Sequence, residues 1–162
     1  MNFVEASKTI AQLDENLTTS QTHSVVIDTI GFGHASLDVV FEKVAAAGTN
    51  SAVATVLKVQ QGDGTTYTDV TALVGGGSGG FTIPTPVNTT SDNIVRLDVD
   101  LEGKQGRYLR VLATGNAAGS IYTVGRLSKA EQSPWDATSK GVLRAVASQL
   151  GLSLAPNVTY TS

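Results

Sequence analysis

The sequence has no cysteine, one methionine, one tryptophan and only four prolines among its 162 residues. Without cysteine there is no disulfide framework, no thiol nucleophile and no cysteine-ligated metal. Charge is also scarce: Asp, Glu, Lys and Arg make up 15% of the chain, with a net charge of -3 at pH 7. Binding to nucleic acid through bulk positive charge is therefore not expected. Nor, with 41% hydrophobic residues, does the chain read as a charge-rich disordered polymer. No apolar run approaches the roughly 20 residues of a membrane-spanning helix, and no secretion-signal pattern opens the chain, so neither an anchor nor a leader is expected. What the chain does have is glycine, 17 residues of it, with abundant threonine and valine. That mixture favours strands and tight turns.

Short alternating runs fill the middle of the chain. Ser24 to Asp28 is β-branched and closed by the turn Gly31-Phe32-Gly33. Leu37, Val39 and Phe41 alternate with Asp38, Val40 and Glu42. Val53, Thr55, Leu57 and Val59 alternate with Ala54, Val56, Lys58 and Gln60. Asp63-Gly64 supplies the positive-φ residue of a tight hairpin between a strand ending at Gln60 and one beginning near Thr66. The run Gly75-Gly76-Gly77-Ser78-Gly79-Gly80 has almost no side chains to pack, so it is a mobile loop or a surface of close backbone approach. Pro84 and Pro86 make the next stretch extended and at best an edge strand.

Ile94 to Leu101 alternates most cleanly: Val95, Leu97, Val99 and Leu101 face one way, Arg96, Asp98, Asp100 and Glu102 the other. Tyr108 to Ala113 and Ser120 to Leu127 complete a set of seven or eight strands. That spacing predicts an antiparallel β-sandwich or barrel.

The two ends read differently. Ala6, Ile10, Leu13 and Leu17 are helically spaced, while Thr18, Thr19 and Thr22 favour extended backbone, which leaves open a short helix or an arm paired with the sheet. Near the other end Val142, Leu143, Val146, Ala147 and Leu150 form one stripe at helical spacing. Thr138 or Ser139 stands at its N-cap and Gly151 at its C′ position. Pro156 to Ser162 reads as a frayed or partner-bound tail. The expected organisation is an N-terminal arm (1–22), a β-sandwich domain (23–134) and a C-terminal extension with a short helix (135–162).

Catalytic signals are thin. His23 and His34 are the only histidines. Ser24, His23 and Asp28 could be imagined as a triad, but no nucleophile-elbow motif accompanies them, and a polar strand-end role is the simpler reading. Asp98, Asp100 and Glu102 share a strand face, as a carboxylate pair flanking a sugar would. A solvated face neutralised by Arg96, Lys104 and Arg107 is the preferred reading, since every solvent-facing strand has this spacing and exposed pairs of this kind need no special role. Asp63 lacks the ligand spacing and terminal glutamate of a calcium loop and reads as a turn residue. The glycine run is not followed by the Lys-Ser/Thr pair of a phosphate loop. No catalytic, cofactor-binding or metal residue is expected. Trp135 either caps the end of the core or anchors a partner.

Three motifs in order carry a resemblance: Ile27-Asp28-x-x-Gly31-Phe32; Gln61-Gly62-Asp63-Gly64-Thr65-Thr66-Tyr67-Thr68-Asp69-Val70; and Gly106-Arg107-Tyr108-Leu109-Arg110-Val111 followed by Ile121-Tyr122-Thr123-Val124-Gly125. Over roughly Ile27 to Pro134 the chain resembles the small jelly-roll head proteins of tailed bacteriophages, the cement or decoration proteins that bind over the assembled capsid. The glycine run and the segment from Trp135 onward lie outside that pattern. The resemblance implies a jelly roll without enzymatic activity or cofactor, made in the host cytoplasm and carried on the capsid exterior. Its partners would be the major capsid protein and copies of itself, as a homodimer or homotrimer, with no nucleic acid and no membrane.

Apolar residues outside the strand-rich region are the candidate contacts: Phe3, Ile10, Leu13, Trp135, Val142, Leu143, Val146 and Leu150. Arg-Tyr-Leu-Arg-Val also occurs in carbohydrate-binding β-sandwiches, so a glycan-binding module stacking sugars on Tyr67, Tyr108 or Tyr122 is the alternative. A small hydrolase is disfavoured because no nucleophile-base pair can be named.

Overall fold

The computed structural model describes residues 7–45, 52–86, 89–101 and 106–130. Among these residues there are eight strands and no helix: β1 (Lys8–Leu17), β2 (His23–Asp28), β3 (Phe32–Phe41), β4 (Ala54–Gly62), β5 (Tyr67–Val74), β6 (Asn93–Asp100), β7 (Tyr108–Gly115) and β8 (Gly119–Ala130). They form two four-stranded antiparallel sheets, ordered β1-β8-β3-β6 (sheet A) and β2-β7-β4-β5 (sheet B). Only β4 and β5 are joined as a hairpin; every other connection carries the chain to the opposite sheet. The pairs β1·β8, β2·β7, β3·β6 and β4·β5 are nested, as in one long hairpin rolled over on itself. An up-and-down order is thereby excluded.

Alternation decides which residues go inside. On β6, Asn93, Val95, Leu97 and Val99 are buried while Ile94, Arg96, Asp98 and Asp100 are exposed. Leu37, Val39 and Phe41 from sheet A and Leu57, Val59, Leu109 and Val111 from sheet B belong to one continuous apolar core. Burial of that surface is the main stabilising term. β4 departs from the simple alternation expected from Val53 onward. Its register shifts between Ala54 and Val56, so Val53 and Ala54 are both buried while Thr55 and Val56 are both exposed. A bulge inserts the extra residue, and alternation resumes at Leu57.

Of the two alternatives, a short helix or an arm paired with the sheet, residues 8–17 take the second: they form the edge strand of sheet A, paired along β8. Gly125 is the physical reason. It lies between Ile10 and Leu37 in register, and a Cβ there would stand 2.6 Å from Leu37 Cδ2 and 3.3 Å from Ile10 Cγ1. The missing side chain lets Ile10 and Leu37 close over the strand, which joins Ile10 to the core.

The glycine run is a surface of close approach, not a mobile loop. Gly75 N donates to Leu57 O at 2.9 Å and Gly76 N to Phe81 O at 2.8 Å. Gly76 and Gly79 take positive φ, and a Cβ on Gly80 would collide with the Val74 carbonyl oxygen. Asp63 is a turn residue as expected: its Oδ1 accepts from the backbone N–H groups of Thr65 (2.8 Å) and Thr66 (2.7 Å). The expected C-terminal helix lies outside the described residues.

Candidate interaction surfaces

The histidine expected beside a strand end is sealed in the core. His23 opens β2 with no solvent exposure. Its Nδ1 lies 2.7 Å from Asp14 Oδ2 and its Nε2 2.9 Å from Thr123 Oγ1. The arrangement of Ser24, His23 and Asp28 does not assemble. Neighbours on a strand face opposite ways, and Asp28 instead accepts two hydrogen bonds from Arg107, at 3.1 and 2.8 Å. Asp14, His23 and Thr123 have the groups of a triad, but Thr123 is also fully buried, so its hydroxyl meets no substrate. The cluster is a clasp joining β1 and β8 of sheet A to β2 of sheet B. Burial pushes the Asp14 carboxyl up, but the His23 hydrogen bond and charge, with help from Gln12 and the Ser24 backbone, hold it below the ordinary carboxylate value. Only topology brings Asp14 and Thr123 to His23; no local spacing announces it.

The carboxylates of β6 are a solvated face, with one correction. Arg96 pairs with Asp38 on β3, through contacts of 2.7 and 2.8 Å, and Arg107 pairs with Asp28, so neither is devoted to Asp98 or Asp100. The Arg96 hydrogen bond holds the Asp38 carboxyl below its usual value against a smaller effect of burial. His34 Nε2 lies 4.0 Å from Asp98 Oδ1 on this face. Glu102 and Lys104 lie outside the described residues. Among the described residues no group of His, Asp and Glu is placed to hold a metal ion.

The outer face of sheet B is polar and aromatic. One row across it runs Asp28, Tyr108, Gly62, Tyr67 and the next Val26, Arg110, Gln60, Asp69. The Arg110 guanidinium stacks 4.1 Å from the centre of the Tyr67 ring, and Arg107 lies 5.1 Å from that of Tyr108. Gln60 joins the charges of its own row: it accepts from Arg110 Nε at 2.8 Å and donates to Asp69 Oδ1 at 2.6 Å. Of the three tyrosines singled out in the sequence, the fold brings Tyr67 and Tyr108 together about 10 Å apart, two strand spacings, across the bare backbone of Gly62. Tyr122 stands on the other sheet.

The outer face of sheet A carries an apolar row. Leu13, Tyr122, Val40 and Ile94 lie side by side on β1, β8, β3 and β6, and Ala11 and Val124 begin the next row, which ends in the Asp38–Arg96 pair. Leu13 is 52% exposed, Ile94 64% and Val124 41%. The Tyr122 hydroxyl donates to Asp92 Oδ2 at 3.0 Å; burial first, and this bond with it, raise the Tyr122 pKa. At the Ile94 end the row meets a cleft of about 220 Å³ between Pro84–Pro86 and Asp92–Val95. Of the candidate contacts, then, Leu13 faces outward in this row and Ile10 is turned into the core. Phe3, Trp135, Val142, Leu143, Val146 and Leu150 lie outside the described residues.

Sequence reasoning missed Ile94 and Val124. Their signal was present: each is an apolar residue in the wet phase of an alternating strand, Ile94 in line with Arg96, Asp98 and Asp100. Searches against family models, curated proteins and solved structures find no match for this chain.

Proposed function

We propose that the chain is a non-enzymatic structural protein of a tailed-phage virion, a jelly-roll decoration protein that binds over the assembled head and stabilises it. The observation that carries the reading is the apolar row Leu13–Tyr122–Val40–Ile94 on the outside of sheet A, a surface suited to a protein partner. The nested order β1-β8-β3-β6 over β2-β7-β4-β5 supports the jelly-roll part, since two rolled Greek keys of eight strands have this arrangement. Burial of His23 and Thr123 supports the non-enzymatic part. A shell-binding protein needs a rigid spacer and faces that close symmetric contacts with the capsid protein and with its own copies. Because binding favours the assembled shell, many weak copies stabilise it by mass action.

Fold alone does not specify this role. The test is to mix the purified chain with heads assembled from the major capsid protein of the same genome. Saturable co-sedimentation at a fixed ratio, with a rise in the melting temperature of the heads, is the expected result. Heads that neither retain the chain nor gain stability overturn the proposal.

One observation favours a second reading. Tyr67 and Tyr108 flank Gly62 on sheet B with Gln60, Asp69 and Arg110 beside them, a combination of ring and hydrogen-bonding groups that suits a sugar chain. A glycan array probed with the chain and with Tyr67→Ala and Tyr108→Ala variants separates the two. Specific signals lost in both variants would establish a carbohydrate-binding module.

A further inference from the structure

We infer that the Asp14–His23–Thr123 cluster is the site of a self-made cross-link, an ester between Thr123 Oγ1 and the side-chain Cδ of Gln12 that joins β8 to β1. The inference goes beyond the proposed function and does not depend on whether the chain binds a head. The reaction is a single event within one chain, with no turnover of an outside substrate.

A nucleophile, a base and an orienting acid stand in line. The imidazole of His23 bridges Asp14 Oδ2 at 2.7 Å and Thr123 Oγ1 at 2.9 Å. An ionised Asp14 only accepts hydrogen bonds, so Nδ1 carries the proton and Nε2 faces the threonine hydroxyl as an acceptor. His23 and Thr123 have no solvent exposure. The hydroxyl is closed to outside substrates, and its electrophile is limited to what the fold places beside it.

The register supplies one. Gln12 on β1 lies directly opposite Thr123 on β8, and residues directly opposite share a face of the sheet. Gln12 Nε2 donates to Asp14 Oδ1 at 3.4 Å, which holds the amide beside the cluster. Opposite Cβ atoms stand about 4.5–5.5 Å apart. Two carbon–carbon bonds carry Gln12 Cδ about 2.5 Å from its Cβ, and one C–O bond carries Oγ1 from its own. A change of Gln12 rotamer therefore brings the two atoms within reach of a bond. Fixed in adjacent strands, amide and hydroxyl react as one unit, with the entropy of their meeting already spent in folding.

The step balances without a co-reactant. His23 Nε2 takes the hydroxyl proton of Thr123 as Oγ1 attacks Gln12 Cδ. The C–N bond of the tetrahedral intermediate then breaks, and His23 Nε2–H returns the proton to the leaving nitrogen, which departs as ammonia. Gln12 is exposed, so the ammonia escapes to solvent and is protonated there, which draws the exchange forward.

Intact mass spectrometry of the full chain, held at pH 7 in native buffer, reads the bond. Most molecules of the parent should be lighter than their sequence by one ammonia. Digestion should yield a peptide pair joining β1 to β8 that alkaline hydroxylamine separates. Thr123→Val and Gln12→Ala should fold, with the parent's far-ultraviolet strand signal, and keep their full mass. Compared with Gln12→Ala, which lacks the bond as well, Thr123→Val gives up only the hydroxyl's hydrogen bonds. Folded Asp14→Asn, collected at the same time after synthesis, should carry the bond in an about tenfold smaller fraction of molecules, because the histidine is no longer held in the working tautomer. A folded parent at full mass, an ammonia loss that persists in Thr123→Val or maps to an asparagine, or an unchanged fraction in Asp14→Asn overturns the inference.

Discussion

The imidazole of His23 and the carboxylate of Asp14 meet at 2.7 Å between the two sheets, and with Thr123 they tie the edge strand β1 to the core. Replacing His23 by Ala leaves a cavity and two unpaired polar partners. The expected cost is about 2–4 kcal/mol, read as a lower urea midpoint. Thr123→Val removes only the hydroxyl and should cost about 1 kcal/mol.

The same pair sets a pH dependence. The Asp14 carboxyl is held below its ordinary value in the fold, so the unfolded chain binds its proton more readily. Its stabilising contribution is therefore fully present above the unfolded pKa, about 3.9, and is lost as pH falls through the folded value. Asp28, Asp38 and Asp69 are shifted the same way by their partners, so stability should fall steeply below about pH 4. Asp14→Asn should be less stable at pH 7 than the parent, and the gap between them should narrow at pH 3. Urea midpoints at the two pH values check this; a constant gap would show that Asp14 does not titrate with folding.

The glycine run gives a graded prediction. At Gly80 an added Cβ runs into the Val74 carbonyl oxygen, whereas at Gly76 nothing lies within 4 Å and only the positive φ of 73° resists a side chain. Gly76→Ala should cost about 1–2 kcal/mol, the price of the left-handed backbone. Gly80→Ala should cost more, because backbone must move. Thermal melts of the two variants test the order, and equal effects would mean the run is free to rearrange.

Gly125 tests the seating of β1. An Ala there meets Leu37 Cδ2 at 2.6 Å and the Ser36 carbonyl oxygen at 2.8 Å. Overpacking of this kind costs about 1–3 kcal/mol. Hydrogen exchange should show the damage concentrated in the β1 amides, since the side chain of Ile10 closes over the same spot. Uniform loss of protection across both sheets would contradict a local seat.

The strands of the middle were legible because a period of two survives in residues such as Val95, Leu97 and Val99. The hairpin at Asp63-Gly64 was legible because its turn chemistry is local. The bulge near Thr55 was not, because an extra residue in one strand leaves no mark until its partner is known. Nor was β1: Ile10, Leu13 and Leu17 fit a helix as well as a strand, and the deciding fact is the bare backbone of Gly125, far away in sequence. The candidate surface was half visible. Leu13 was named for being apolar and outside the core pattern, but its neighbours Tyr122, Val40 and Ile94 come from three other strands. Their meeting on one face is a product of register, which no linear spacing encodes.

The apolar row itself yields the most discriminating prediction. Leu13 and Ile94 stand at the two ends of that row, both largely exposed, so Leu13→Asp with Ile94→Asp removes little buried surface. Aspartate is a poor strand former, and Asp92 lies near enough to Tyr122 for mild repulsion, yet the combined loss should stay near 1 kcal/mol. If this face is the contact with the head, the folded double variant should lose co-sedimentation with heads by tenfold or more, because two charges must then be desolvated in an apolar contact. Tyr67→Ala with Tyr108→Ala, on the opposite sheet, should bind heads as the parent does. Should the aspartate variant keep its full affinity while the tyrosine variant loses it, the contact is on sheet B and the roles of the two faces are reversed.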